Sequence, residues 1–298
     1  MKDSLVTISD LTKWYGNQLA LDQVEFSVDR GEICGLVGEN GAGKTTLLRI
    51  LSGLIAPTSG QISYTGTPKM GELIESPALY PHLSAWDTLY YVGKQLGMQD
   101  LDKRVAEVLH LVGLADVSRW KTSKNFSLGM RQRLAIGLVI LDHPDFLILD
   151  EPINGLDPVG IKEVRELLKR LRDEAQMTIL ISSHILAELE LMADKFVIMY
   201  KGKILEVDTP AGLASRMTSS LWLETSDNAR VVSVLEERGD QPVLEENHIR
   251  LSVDTLVMEL FHLVEVLGLE IHEVYRKTSN FEQYYLDLIG GKGHDTSL

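Results

Sequence analysis

The chain has 298 residues, of which 44% are hydrophobic and 24% charged, and one of them is a cysteine. This is the composition of a globular protein with room for one or two domains, and a single cysteine excludes an intramolecular disulfide. The formal net charge of −14 argues against a nucleic-acid-binding surface, because such surfaces normally carry a basic patch.

The N-terminal region alternates short β-type runs with turns. Strands are predicted at 5–8 and 24–28, and a turn at 29–31 leads into a third apolar run at 33–37. Cys34 lies within this third run, so we expect it to be a core residue and not a reactive thiol. The pattern predicts a central sheet with an added β layer.

A glycine-rich loop follows the third run. From residue 38 it reads Gly-Glu-Asn-Gly-Ala-Gly-Lys-Thr-Thr, a G-x-x-x-x-G-K-T phosphate-binding motif between a strand-like and a helix-like run. Glycines let the backbone turn its N–H groups round a phosphate, and the following helix offers its positive end. Lys44 supplies a cation for the β- and γ-phosphate oxygens, and Thr45 a hydroxyl for Mg²⁺. The residues predicted to bind a nucleoside triphosphate are Gly38, Glu39, Asn40, Gly41, Ala42, Gly43, Lys44, Thr45 and Thr46.

Residues from about 84 to 141 have a helical period. Within this segment Ser127 is predicted to cap a helix whose first turn contains Gly129. The longest apolar stretch of the chain, 134–141, is far shorter than the roughly 20 residues that cross a bilayer. The first four residues, Met-Lys-Asp-Ser, form no secretory signal. We therefore expect a cytoplasmic chain.

Apolar strands return at 146–149, 178–181 and 196–200, with helical segments between them. These strands show no polar alternation, which favours a parallel sheet covered on both faces. A turn at 201–202 follows, and this part of the chain is expected to end near residue 214.

Polar residues follow two of these strands, at the predicted carboxyl edge of the sheet. Asp150 can hold Mg²⁺ through a water, and Glu151 can orient and polarise the water that attacks the phosphate. His184 follows the next strand and could donate a hydrogen bond to the γ-phosphate. Asp157 lies in the turn after Glu151 and could touch a second subunit.

The last segment, 216–298, is predicted to run strand, helix, two short strands, helix, strand and helix. This order resembles the split β-α-β-β-α-β pattern of ferredoxin-like domains. The segment holds 15 Asp and Glu against 7 Lys and Arg. We interpret it as a solvated accessory domain, in preference to an acidic binding surface.

Five separated motifs resemble those of ATP-binding-cassette (ABC) proteins, in that family's order, between residue 5 and about residue 213. Ser-Leu-Gly-Met-Arg-Gln-Arg from Ser127 resembles the signature Leu-Ser-Gly-Gly-Gln, in a variant similar to that of bacterial exporters of the bacitracin and lantibiotic-resistance branch. Lys-Trp-Tyr-Gly from Lys13 resembles the segment whose aromatic residue, here Tyr15, stacks on adenine. The phosphate loop, the Asp150–Glu151 pair and His184 are the other three.

The resemblance implies an α/β fold, that of a P-loop NTPase of the ABC nucleotide-binding type. Residues 1–215 would form the ATP-binding domain, with a mixed sheet core, an antiparallel β layer and a helical subdomain at about 84–141. The resemblance does not extend to residues 216–298, whose element pattern predicts a small α+β accessory domain.

The resemblance also implies ATP and Mg²⁺ as cofactors and two kinds of partner. ABC proteins close head to tail in pairs, so a second ATP-binding subunit, expected in a homodimer, would present Ser127, Leu128 and Gly129 to the phosphate. Membrane-spanning permease subunits would hold the chain at the inner face of the cell membrane. No nucleic-acid partner is expected.

Two residues depart from the family pattern. Glu75 stands where a glutamine usually joins Mg²⁺ to the transmembrane partner, and it is similar to the variant of lantibiotic-immunity transporters. As a carboxylate it can still ligate Mg²⁺, but it adds a negative charge beside the phosphates. Ile153 replaces a common threonine or serine, which we interpret as a packing difference.

The predicted function is that of an ATP-hydrolysing motor subunit of a bacterial ABC exporter, with a peptide antibiotic or another drug-like amphiphile as cargo. Ions or lipids are alternative cargoes within the same mechanism. A soluble ABC ATPase acting on ribosomes or DNA is a rival, although such proteins usually carry two cassettes or a long heptad insertion. A nucleotide-binding regulator without turnover is a second rival, disfavoured by Glu151 and His184.

Overall fold

The computed structural model describes residues 3–74, 79–217, 219–252, 255, 257–278 and 280–292. The chain divides into two compact units, Met1–Pro210 and Ala211–Leu298. No helix among the described residues is long and apolar enough to span a membrane.

The first unit combines strands and helices. Its strands are β1 Ser4–Tyr15, β2 Gln18–Asp29, β3 Ile33–Val37, β4 Ser59–Tyr64, β5 Met70–Leu73, β6 Phe146–Asp150, β7 Thr178–Ser183, β8 Lys195–Tyr200 and β9 Lys203–Asp208. Its helices are α1 Lys44–Leu51, α2 Ala85–Gln95, α3 Leu101–Leu111, α4 Leu128–Ile140, α5 Pro158–Ala175 and α6 Leu186–Glu190, and α7 Pro210–Arg216 begins at the boundary.

The central sheet has the strand order β5-β6-β7-β3-β8-β9. Its first five strands are parallel, and every residue of β3 and β7 is buried, as the unbroken apolar runs predicted. β9 is antiparallel to β8, because a turn with positive φ at Lys201 and Gly202 reverses the chain. Cys34 is fully buried in β3, and burial raises the pKa of its thiol well above the ordinary range, so it is a core residue as predicted.

A separate antiparallel layer has the order β2-β1-β4. Side chains of this layer pack with those of α1 and the central sheet in one core, which includes Leu5, Val24, Leu47, Leu51 and Phe146. This core fixes the position of α1 and of the loop that precedes it.

The helical segment is built from α2, α3 and α4. Arg104 is buried in it and donates hydrogen bonds of 2.8 Å and 2.6 Å to the carbonyls of Leu141 and Ile140, at the end of α4. The last carbonyls of a helix lack intrahelical partners, so a cation there satisfies them and suits the negative end of the helix. Burial lowers the pKa of Arg104.

The second unit contains β10 Ser219–Thr225, α8 Asn228–Glu237, β11 Val243–Glu245, β12 His248–Ser252, α9 Val257–Val266, β13 Ile271–Thr278 and α10 Phe281–Lys292. Its strands form an antiparallel sheet with the order β11-β12-β10-β13, the arrangement of the split β-α-β pattern. One face of the sheet packs against α8 and α9 in a core of its own. That core is formed by Leu221, Leu223, Val231, Leu235, Ile249, Leu251, Leu260, Leu263 and Val264.

Candidate functional site

The loop between β3 and α1 has a conformation that only glycine permits. Gly41 and Gly43 have φ of 85° and 106°, in the region that side chains disfavour. A Cβ on Gly38 would lie 2.5 Å from the Met199 carbonyl oxygen, and one on Gly43 would lie 2.7 Å from that of Ala20. The loop therefore needs glycines for close packing as well as for its turn.

Lys44 begins α1, and its ammonium group lies inside the loop. Nζ donates hydrogen bonds of 2.6 Å to the Gly38 carbonyl and 3.2 Å to the Glu39 carbonyl. It also makes an ion-pair contact of 3.4 Å with Oε1 of Glu151, while only 6% of the lysine is exposed. A buried cation held by two carbonyls and one carboxylate is well placed to bind an anion at the loop.

Thr45, Asp150 and Ser182 form a hydrogen-bonded chain at the carboxyl edge of the sheet. The Thr45 hydroxyl donates a 2.8 Å bond to Oδ2 of Asp150, and the Ser182 hydroxyl donates a 2.6 Å bond to Oδ1. Ser182 also accepts a 2.9 Å bond from the backbone N–H of Glu151. These contacts arise because β6 and β7 are parallel neighbours with Asp150 opposite Ser182.

Glu151 and His184 meet where these two strands end. The sequence predicted the shared edge of the sheet but not the contact between the two side chains. His184 Nδ1 lies 2.7 Å from Oε2 of Glu151, while Oε1 is buried and has no hydrogen-bond partner among the described residues. The Glu151 backbone has φ of 48°, a left-handed conformation that costs a non-glycine residue about 1–3 kcal/mol and is concentrated at functional sites. Oε1, which faces the Lys44 ammonium group at 3.4 Å, can accept a proton or a hydrogen bond from a small molecule.

One cleft of about 560 Å³ joins the loop to the end of β1. Its lining includes Tyr15, Gly41, Lys44, Thr45 and Glu151. Tyr15 is 44% exposed, and Lys13 Nζ lies 5.2 Å from the centre of its ring. The cleft thus has an aromatic surface at one end and a phosphate-type loop at the other.

The oxygen donors at this cleft suit a hard divalent cation. The Thr45 hydroxyl and the Asp150 carboxylate are in direct contact, and such ligands are the ones that Mg²⁺ takes in nucleotide sites. The third predicted metal ligand, Glu75, lies outside the described residues.

The segment around Ser127 lies elsewhere on the unit. The Ser127 hydroxyl accepts a 3.2 Å bond from the Met130 N–H and caps α4, as predicted, and Leu128 is 44% exposed. Neither these two residues nor Gly129 is among the described residues that line the loop cleft. Leu128 lines a second cleft of about 570 Å³, which also includes Glu151.

Asp157 acts as a helix cap in this structure. Its Oδ1 accepts a 3.1 Å bond from the Gly160 N–H and begins α5. A Cβ on Gly129 would lie 3.5 Å from the Cα of Gly160, so the first turns of α4 and α5 are neighbours.

Sequence reasoning missed Ser182 as well as Lys201 and Gly202, which also line the loop cleft. A hydroxyl two residues before His184 at a strand end was the available signal for Ser182. Ser182 lies opposite Asp150 in the sheet, although the two residues are about thirty positions apart in the sequence. Local spacing therefore cannot predict their pairing.

Comparisons with known proteins agree with this geometry. Residues 21–154 match the sequence profile of the ABC transporter family. The bacitracin transport ATP-binding protein of Bacillus licheniformis is 38% identical over an alignment that covers 97% of this chain and 98% of that protein. The lantibiotic transport ATP-binding protein of Streptococcus pyogenes is 42% identical over 67% of this chain and 89% of that protein.

A solved structure of an ATP-binding subunit of an ABC transporter is similar in fold. Its TM-score is 0.62 at 31% identity, over 71% of this chain and 92% of that one. The predicted fold class is therefore confirmed for the first unit.

Proposed function

The chain belongs to the ABC transporter family and is one of its ATPases, and we propose that it drives a bacterial exporter of a peptide antibiotic or a similar amphiphile. The observation that carries the proposal is the cluster formed by Lys44, Thr45, Asp150, Glu151 and His184 around one phosphate-type loop. A cation, two hard oxygen ligands and a carboxylate without a hydrogen bond on Oε1 in the described part of the chain together meet the chemical needs of phosphoryl transfer to water.

The adenine and phosphates of ATP would occupy the cleft between Tyr15 and the loop. Tyr15 would stack on the base, while the backbone of residues 38–46 and Lys44 would bind the phosphate oxygens. Thr45 and Asp150 would hold Mg²⁺, which supplies charge neutralisation at the β- and γ-phosphates when bound.

Glu151 would orient the attacking water and accept its proton on Oε1. The water oxygen bonds to the γ-phosphorus as the bond to the β–γ bridging oxygen breaks, so ADP and phosphate leave. His184 Nδ1 lies 2.7 Å from Oε2 of the same carboxylate. This contact would keep Glu151 pointed at the water, and the imidazole would lie beside the γ-phosphate.

A second subunit would complete the phosphate site. Ser127, Leu128 and Gly129 lie outside the chain's own loop cleft. They form a helix start of the kind that binds anions, in which Ser127 and Leu128 are exposed and Gly129 is buried. In a head-to-tail homodimer the partner subunit would present this helix start, and Asp157 would lie near the contact. One chain alone would then hydrolyse ATP slowly.

Permease subunits would couple this cycle to transport. Closure of the two cassettes around ATP would move the permeases, and hydrolysis would reopen the pair. The segment after Glu75, roughly 76–91, is the proposed docking region, and docking would hold the chain at the inner face of the membrane. Residues 76–78 of this segment lie outside the described residues. The cargo is inferred from the relatives, whose names assign them to bacitracin and lantibiotic transport.

Substitution of Glu151 by glutamine tests the motor function. In the complex isolated from its native membrane, we expect Glu151→Gln to abolish phosphate release and to trap an ATP-bound dimer with permease subunits. Glu190→Gln, at an exposed position at the end of α6, is the matched control and should leave turnover unchanged. Recovery with ribosomes and without a membrane protein, or unchanged turnover in Glu151→Gln, would contradict the proposal.

The cargo needs a separate measurement. Cells that express the complex should survive higher concentrations of bacitracin or a lantibiotic than cells with the Glu151→Gln complex. Equal sensitivity to both peptides, together with normal ATP turnover, would favour the alternative cargoes, ions or lipids.

A further inference from the structure

A second cluster of ligand-type side chains lies in the second unit, on the sheet face opposite its core. Leu221, Leu223, Ile249 and Leu251 point into the core, and the alternation of strands places Glu224, His248 and Glu273 on the other face. Glu224 of β10 pairs directly with Glu273 of β13, while His248 begins β12 on the other side of β10. The three residues form a row across three adjacent strands.

The three side chains converge on one point. His248 Nε2 lies 3.1 Å from Oε2 of Glu273 and 3.7 Å from Oε2 of Glu224. One ligand atom from each residue lies within 4.8 Å of the other two, which is the spacing that ligands of one small metal ion adopt. Glu224 and His248 are half-buried, and Glu273 is exposed.

The charges of this row are unfavourable without a cation. Glutamates directly opposite each other on neighbouring strands repel, and this destabilises a sheet. The basic residues of the same face are engaged elsewhere: Arg250 lies 3.0 Å from Glu245, and Lys277 Nζ lies 4.6 Å from the centre of the Trp222 ring. His248 is therefore the only group recorded between the two carboxylates among the described residues.

Aromatic rings form a wall beside the row. The Trp222 ring centre lies 5.8 Å from that of His248 and 6.1 Å from that of Tyr275, and Tyr275 lies 5.9 Å from His248. Such packing limits the rotation of the imidazole, so His248 presents Nε2 to the carboxylates in a fixed orientation. Ligands that are already oriented lose little freedom when they bind an ion.

We propose that Glu224, His248 and Glu273 bind a divalent transition-metal ion of the Zn²⁺ class. One imidazole nitrogen with two carboxylate oxygens is a donor set that suits Zn²⁺, Mn²⁺, Fe²⁺ or Co²⁺, whereas Mg²⁺ and Ca²⁺ prefer oxygen ligands alone. The ion would neutralise the opposed glutamates and join β12, β10 and β13. This inference is independent of the proposed transport function.

Titration of the full-length protein tests the site. The protein is freed of metal with a chelator and titrated with Zn²⁺ by calorimetry, without nucleotide or Mg²⁺. We expect one equivalent to bind, and Co²⁺ to give a visible absorption band that Zn²⁺ removes and excess Mg²⁺ does not. Zn²⁺ should also raise the unfolding temperature, because a ligand of the native state stabilises it.

Variants identify the ligands. Glu224→Gln and His248→Ala should each lose this equivalent, and circular dichroism should report an unchanged fold. His272→Ala is the matched control, since His272 is an exposed histidine one position before Glu273 and outside this cluster. The proposal is overturned if the wild type binds no Zn²⁺, or if folded Glu224→Gln still binds it. It is also overturned if Zn²⁺ binding is lost in His272→Ala, or in Glu151→Gln, which alters the candidate ATP site and leaves this cluster unchanged.

Discussion

At the residue scale, the candidate active site depends on hydrogen bonds that orient its carboxylates. Ser182 is fully buried and connects the Asp150 side chain to the Glu151 backbone. It contacts the residues proposed to act on ATP and is not itself one of them. We therefore regard it as a positioning residue.

Replacement of Ser182 by alanine should lower ATP turnover more than ATP binding. It leaves an Asp150 oxygen and the Glu151 N–H without this partner, which should cost about 1–3 kcal/mol of stability. Loss of such an orienting contact typically reduces activity by about 10–100-fold. Turnover of the isolated complex and binding of ATP to the same preparation are the two measurements.

Ser183→Ala is the control for this prediction. Ser183 is equally buried in the same strand, but its hydroxyl accepts a 3.0 Å bond from the Ile185 N–H and does not contact the carboxylates. The Ser183→Ala protein should lose about 1 kcal/mol of stability, and its ATP turnover should change little. Equal losses of turnover in the two variants would contradict a positioning role for Ser182.

Most of the candidate active site could be predicted because its residues occur in short motifs. Lys44 and Thr45 follow the glycine loop, and Asp150, Glu151 and His184 follow apolar runs, so local spacing indicated their chemistry. The left-handed backbone of Glu151 had no such signal, because tertiary packing overrides local preference there.

At the scale of elements, two of the described helices begin at serine caps, of which the sequence predicted the one at Ser127. Ser127 and Ser84 accept bonds of 3.2 Å and 3.1 Å from the N–H groups of Met130 and Asp87, at the starts of α4 and α2. Strand β9 was harder to predict, because its residues are only partly buried and their pairing depends on the turn at 201–202. An edge strand lacks the unbroken apolar run that identifies its buried neighbours.

Two helix caps separate a structural role from a catalytic one. Asp227 begins α8 of the second unit by accepting a 3.1 Å bond from the Arg230 N–H, so Ser127→Ala and Asp227→Ala should each lose about 1 kcal/mol of stability through loss of one N-cap bond. If the partner subunit's α4 completes the phosphate site, only Ser127→Ala should also lower turnover of the assembled complex. Denaturant unfolding and phosphate release, measured on both variants, check this prediction, and an equal effect on turnover would count against the composite site.

At the scale of the whole molecule, the two units have separate hydrophobic cores. The core around α1 consists of residues between Leu5 and Ile204, and the core of the second unit consists of residues between Leu221 and Val274. The candidate ATP site lies wholly within the first unit and the proposed metal site wholly within the second. Each site can therefore be altered without a change to the residues of the other.

Removal of the second unit should preserve nucleotide binding. A chain of residues 1–210 keeps the Tyr15 platform, the loop and the ends of β6 and β7, so its affinity for ATP should stay within about threefold of the full chain. Full-length Lys44→Ala is the comparison, because it should lose affinity while it keeps both cores. Equilibrium binding of a fluorescent ATP analogue measures all three proteins, with circular dichroism to show that each is folded. If folded 1–210 binds as weakly as Lys44→Ala, the candidate ATP site requires the second unit, and its assignment to the first unit alone is wrong.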